Sequence, residues 1–145
     1  MNIRAAQITD SYALISLLTE LGYGHTGSLM HDRLEQLLNH PDERLLVAED
    51  RQTVLGFLSL HFIPQLALAG DFARISYFCI AEGERSKGVG QHLLSHAEQL
   101  ARERGCDRME VHCHESRIKA NQFYAREGYS ESPCYRSKAL ASGQQ

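Results

Sequence analysis

Arg74-Ile75-Ser76-Tyr77-Phe78-Cys79-Ile80, then Arg85-Ser86-Lys87-Gly88-Val89-Gly90, then Leu93, Leu94, Ala97, Leu100 and Ala101: this stretch decides the fold. Its first seven residues are rich in aromatic and β-branched side chains and read as a strand. The apolar residues from Leu93 onward recur at helical spacing, so a helix runs to about Arg104, with Gly105 as its stop. Arg108–Cys113 reads as the next strand. A strand, a glycine-rich loop, a helix and a second strand make a βαβ unit over residues 74–113, and the two strands should be parallel neighbours.

Working outward toward the N-terminus, Val54–Phe62 and Leu45–Glu49 read as strands joined by the turn Asp50-Arg51-Gln52-Thr53, an antiparallel hairpin. Ile3–Ala6 is a short opening strand. Thr9 and Asp10 are candidate N-caps for a helix whose apolar face is Ala13, Leu14, Leu17, Leu18 and Leu21, ending near Gly22. Ser28 is a candidate cap for a second helix with the stripe Leu29/Met30, Leu34, Leu37 and Leu38, closed by Pro41-Asp42. Toward the C-terminus, Arg117–Glu127 reads as a helix closed by Gly128, and Tyr135–Leu140 as a final strand. There is no repeat and no linker. The expectation is a single α/β (α+β) domain over residues 1–140 with a frayed tail at 141–145.

The chain has 145 residues, 43% hydrophobic and 23% charged, which excludes intrinsic disorder. Its formal net charge of −3 argues against a nucleic-acid binder. No apolar run approaches the roughly 20 residues of a membrane helix, and the first residues lack a signal-peptide pattern. Cys79, Cys106, Cys113 and Cys134 show no CxxC spacing and read as reduced, packed thiols. A cytoplasmic protein is expected.

Between strand and helix, Gly88 and Gly90 let backbone N–H groups approach a ligand, and a helix N-terminus adds donors and a positive dipole end. Arg85 and Lys87 add positive charge. Such a loop can seat a pyrophosphate; a glycine-tolerant turn with two solvated cations is the alternative. The Walker spacing is absent, and the dinucleotide fingerprint lacks its third glycine. Arg85-Ser86-Lys87-Gly88-Val89-Gly90 instead resembles the Q/R-x-x-G-x-G/A loop of the GNAT superfamily of acetyl-CoA-dependent N-acetyltransferases. Ala120-Asn121-Gln122-Phe123-Tyr124-Ala125-Arg126-Glu127-Gly128-Tyr129 is similar to that family's A-x-x-F-Y-x-x-x-G-F/Y signature. Val47–Asp50 with Val54–Phe57 resembles its hairpin, with Gly56 after the turn. The resemblance spans nearly the whole chain.

It implies a mixed, mostly antiparallel sheet of about six to seven strands flanked by about four helices. It implies acetyl-CoA as cosubstrate, its pyrophosphate on Arg85, Ser86, Lys87, Gly88, Val89 and Gly90, and its pantetheine along Phe78, Cys79 and Ile80. Tyr124 matches the family's general acid toward the CoA sulfur; the alternative reading is a core aromatic beside Phe123. Arg117 stands where the family often has Asn, and Asn121 is the candidate replacement contact. Arg74–Phe78 carries no carboxylate, so the family's usual base is missing.

Candidate bases are Tyr77 and His112. By strand alternation His112 would share a face with Glu110 and His114, and imidazole is suited to accepting a proton near neutrality. His112-x-His114, with Glu110 or His61, also has a spacing found in metal sites; the expectation is no metal. Arg102, Arg104, Arg126 and Arg136 read as solvated charges or as partners of the CoA 3′-phosphate. The C-terminal segment looks similar to aminoalkylphosphonate and aminoglycoside 6′-N-acetyltransferases, which favours a small-molecule amine. Its site is expected at residues 22–31, 61–72 and Tyr77. The alternatives are a peptide or protein amine, or a non-catalytic CoA-binding module. A homodimer is expected, as the commonest oligomer.

Overall fold

Strict alternation of apolar residues fails in the centre of the chain because the central strands are covered on both faces. Leu46, Val47 and Ala48 are consecutive and all buried, as are residues 55–60. The computed structural model describes residues 1–113, 117–131 and 136–141. The elements are β1 (Asn2–Ala5), α1 (Ser11–Glu20), α2 (Met30–Leu38), β2 (Glu43–Asp50), β3 (Thr53–Ile63), β4 (Phe72–Ile80), α3 (Val89–Arg104), β5 (Met109–Val111) and α4 (Ile118–Arg126). They fall into two units, Met1–Val111 and His112–Gln145, each considered by itself.

In the first unit the sheet order is β1-β2-β3-β4-β5. The first four strands pair antiparallel, and β4 pairs parallel with β5, as the βαβ reading requires. The mixed α/β class holds. Five strands are present among the described residues, against the six to seven expected. Residues 136–140 form no strand and are all exposed; without a buried face a strand has little to hold it. Tyr135, which would have opened that strand, lies outside the described residues.

Two departures from regular pairing shape the sheet. The hairpin turns on Arg51 (φ +50°) and Gln52 (φ +67°), a left-handed pair of the kind that matches strand twist. Asp50 pairs with Thr53 and Glu49 with Val54, but Ala48 pairs with Gly56, so Leu55 is an extra residue. In the β3–β4 ladder Leu60 pairs with Ile75 and Ser59 with Tyr77, so Ser76 is extra. Both are β-bulges. Gly56 is required by close approach: a Cβ there would lie 2.8 Å from the Cys79 carbonyl oxygen on the neighbouring strand.

One face of the sheet packs on α1 and α2 through Leu14, Leu17, Met30, Leu34, Val47, Phe57 and Cys79. α3 covers the other with Val89, Leu93, Leu94, Ala97 and Ala101, all buried. The edge is tied by Arg4. Its guanidinium donates to both Asp10 oxygens at 2.8 and 2.9 Å and to Glu49 at 2.7 and 3.2 Å. Asp10 also accepts from the Gln7 N–H at 2.7 Å, joining β1 to the entry of α1. The hydrogen bonds from Arg4 hold the Asp10 carboxyl below the usual carboxylate range, and the same partners raise Arg4.

Candidate active site

The parallel pairing of β4 and β5 covers only Ala73–Ile75 with Met109–Val111. β4 therefore runs on past the end of β5 through Ser76–Ile80, still paired with β3 on its other side. Of the three residues expected to lie along a pantetheine arm, Cys79 is buried and its thiol donates to the Leu17 carbonyl at 3.4 Å. Its side chain is a core group, so only its backbone can serve a ligand. Phe78 and Ile80 are half-buried.

Beyond β4 the chain makes one tight turn at Glu82–Glu84, pinned by the Ala81 N–H to Leu55 and the Glu82 N–H to Glu20 Oε1, at 2.8 and 3.0 Å. Arg85 Nε donates back to the Ile80 carbonyl at 3.3 Å. Ser86 (φ +68°) and Gly88 (φ +84°) then take left-handed conformations and deliver the chain into α3 at Val89. A Cβ on Gly88 would meet nothing closer than His92 at 3.7 Å, so backbone conformation rather than space calls for glycine there. No side chain caps this end of α3. The first-turn N–H groups of a helix lack intrahelical acceptors, and here they sit behind the exposed Arg85, Ser86 and Lys87. That arrangement suits an anion such as a pyrophosphate.

On the α1/α2 face lies a cavity of about 230 Å³. Leu14, Leu18, Met30, Leu34 and Phe57 form its apolar wall, and Tyr23, Thr26, Arg33, Ser59 and Tyr77 bring polar atoms. The rings of Tyr23 and Tyr77 meet edge to face at 5.4 Å. Thr26 Oγ1 is buried with no hydrogen-bond partner among the described residues. Arg33 is the one charged side chain among the described lining residues. Of the residues expected around the acceptor, Tyr77 and four positions of 22–31 line this cavity, and none of 61–72 does.

β5 ends at Val111, so strand alternation does not reach His112, which is exposed. His114 lies outside the described residues. Glu110 accepts from Arg74 at 2.8 Å and from Arg108 at 2.9 Å. Burial works to raise its carboxyl, and the two guanidinia outweigh that and lower it. His61 contacts Glu43 through Nδ1 and Ser76 through Nε2. No group of three or more His, Cys, Asp or Glu side chains among the described residues is arranged to hold a metal. Arg104 is committed to Asp42 and Asp71 and lies over the Phe62 ring at 4.6 Å.

In the second unit, α4 carries Asn121 and Tyr124 three residues apart. Asn121 Nδ2 donates to the Arg117 carbonyl at 2.9 Å, within the first turn. The Tyr124 ring contacts Phe123 at 5.4 Å and Tyr129 at 5.8 Å. Burial, reinforced by Cys113, pushes its hydroxyl up to about 12. A phenol so placed keeps its proton at neutral pH, which suits a donor and not a base.

The residues that sequence reasoning missed are Arg33, Ser59 and the contact of His61 with Glu43 and Ser76. Arg33 has no motif, and Thr26 is covered only as part of the 22–31 segment. Glu43 and His61 would be found by pairing the hairpin, but counting regularly from the turn puts Glu43 opposite Leu60; the bulge at Leu55 brings it opposite His61.

The model of the Acetyltransferase (GNAT) family matches residues 11–129. An aminoalkylphosphonate N-acetyltransferase from Salmonella typhimurium is 33% identical over 135 residues, covering 91% of this chain and 85% of that protein. Among solved structures, a Bacillus halodurans C-125 protein described as a transcriptional regulator superposes with a TM-score of 0.89 at 22% identity, over 96% of this chain and 99% of that one. Glucosamine-6-phosphate N-acetyltransferase from Arabidopsis thaliana does so with 0.85 at 20% identity, over 97% and 98%. At those identities the two structures speak to the fold alone. The family match and the bacterial relative speak to descent: the chain belongs to the GNAT family of acetyltransferases.

Proposed function

We propose that the chain transfers an acetyl group from acetyl-CoA to the primary amine of a small molecule. The observation that carries the reading is the uncapped N-terminus of α3, entered through left-handed Gly88 and flanked by Arg85 and Lys87. Backbone N–H groups there bind the pyrophosphate, and the two cations screen its charge. The strand stretch Phe78–Ile80 aligns the pantetheine arm, and a strand N–H polarises the thioester carbonyl. Tyr124 supplies a proton to the departing sulfur. In the second unit, Asn121 contacts the pantetheine and His112 is an alternative base.

The cavity beside Tyr77 takes the amine. Its wall is apolar and its one charged lining side chain is a cation, so it suits an amine with an apolar body and a neutral or anionic remainder better than a polycation. A phosphonate is an anion of the kind a guanidinium binds through paired hydrogen bonds, in keeping with the name of the Salmonella relative. Among the described residues no helix is long and apolar enough to cross a membrane. The proposal extends to a cytoplasmic setting and a homodimer.

The test is ligand stabilisation. Acetyl-CoA at 100 times its Kd stabilises a one-site folded protein by about 2.7 kcal/mol. At roughly 3 °C per kcal/mol for a chain of this size, that is about 8 °C in Tm. Gly88→Asp sets a carboxylate against the pyrophosphate and is expected to abolish most of the shift. An unchanged shift removes the loop from the CoA site.

A further inference from the structure

We propose that Glu43, His61 and Ser76 form a proton relay that deprotonates the attacking amine, in place of the carboxylate that residues 74–78 lack. The inference rests on the acetyl-transfer reading above. A carboxylate can only accept, so the contact between Glu43 Oε2 and His61 Nδ1 sets the hydrogen on Nδ1. Nε2 is left with its lone pair and accepts from the Ser76 hydroxyl. The chain of bonds thus runs in one direction, from an outer hydroxyl through an imidazole to a carboxylate, as in nucleophile–histidine–carboxylate sites generally.

Burial is graded along it. The Glu43 and His61 side chains are 21% and 24% exposed, while Ser76 is open to solvent. Two bulges build the relay: the one at Leu55 brings Glu43 opposite His61, and the one at Ser76 adds the residue whose hydroxyl reaches Nε2. Tyr77, next to Ser76, and Ser59, paired with Tyr77, both line the cavity. The outer end of the relay therefore adjoins the lining of the candidate acceptor site without itself being part of it. The charged groups around His61 are Glu43 on β2 and Arg74 opposite it on β4. Arg74 is held by Glu110 on β5, and on the helical side Arg33 of α2 lines the cavity. Arg74 is thus occupied, and Glu43 is left to balance an imidazolium.

One proton leaves the substrate ammonium to Ser76 Oγ while the Ser76 proton moves to His61 Nε2 and on to solvent. The neutral nitrogen forms the C–N bond. The C–S bond breaks with its electron pair going to sulfur; the second nitrogen proton passes to solvent, and the thiolate takes up one proton in exchange, so one proton is released overall. Ser76 touches the substrate; His61 and Glu43 act through it.

The experiment measures thiol release from acetyl-CoA over a panel of small amines, then kcat/KM against pH for Ser76→Ala, His61→Gln, Glu43→Gln and the Ser76→Ala/His61→Gln pair. Near pH 7 the Ser76 and His61 variants are expected to lose about 10²–10³-fold in kcat, within the usual range for acid–base groups, with the KM for acetyl-CoA unchanged. The loss should shrink as rising pH deprotonates the amine unaided, and the double variant should lose no more than the worse single one. Ser76→Ala removes only an exposed hydroxyl and carries the test even if His61→Gln folds poorly. Wild-type rates in Ser76→Ala, or a loss equal at every pH, overturn the relay and leave acetyl transfer standing. No transfer to any amine by the wild-type protein overturns acetyl transfer, and the relay with it.

Discussion

Replacing Asp10 by Asn tests the joint that sets the angle of α1, and with it the cavity wall formed by Leu14 and Leu18. Asp10 is 6% exposed and accepts two hydrogen bonds from Arg4 and one from the Gln7 N–H, all between 2.7 and 2.9 Å. Asn keeps the shape but has one acceptor oxygen, and its amide donors face a guanidinium. Breaking one partner of a buried ion pair costs about 3–5 kcal/mol. Arg4 retains Glu49, so the lower end applies, about 3 kcal/mol. In urea, at an m-value of about 2 kcal/mol/M, the midpoint should fall by about 1.5 M with m unchanged. The pH dependence supplies an independent check. The folded-state pKa of Asp10 lies below its unfolded value, so its contribution is complete above about pH 4 and is lost as pH falls through the folded value. Wild type and Asp10→Asn should therefore converge on acidification. A loss under about 1 kcal/mol at neutral pH, or two curves that fall in parallel, refutes the reasoning.

Two further outcomes are expected. Tyr124→Phe should lower the single-turnover rate by about 10²–10⁴-fold while the acetyl-CoA thermal shift is kept; a wild-type rate ends the general-acid role. Thr26→Val removes a buried hydroxyl that has no partner among the described residues and should raise unfolding stability by about 1 kcal/mol while raising the KM of an acceptor that hydrogen-bonds there. A less stable variant with unchanged KM takes Thr26 out of the acceptor site.

The elements that sequence reading located well are those whose signal is local. The stripe from Leu93 to Ala101 gave α3, the glycines after β4 gave its start, and the flanking strands gave the parallel pair. β5 came out shorter than Arg108–Cys113: among the described residues it pairs with β4 alone, over Met109–Val111. Ser28 does not cap α2, which starts at Met30 after Leu29 with no side-chain cap. The conformation of the loop at 85–90 was legible because it is set locally, by Ser86 and Gly88 at positive φ leading directly into α3. The cavity was half legible: Tyr77 and the 22–31 segment sit beside it, but Arg33 and Ser59 arrive through helix packing and strand register, which no short motif encodes. Least legible was the contact of Glu43, His61 and Ser76. These residues are separated along the chain and meet only because two ladders each slip by one residue, and neither Leu55 nor Ser76 advertises a bulge.

Ser76 has one more property. Remove it from the register and Ile75 is followed directly by Tyr77, which continues the regular ladder from Leu60 to Ser59 with every other β3–β4 partner unchanged. In genetic terms the hydroxyl at the end of the chain Glu43–His61–Ser76 is a single-codon insertion into an otherwise ordinary sheet. A one-residue indel at this position can add or erase it without rewriting a core residue on either face, so the strand can change its chemistry far more cheaply in sequence than in fold.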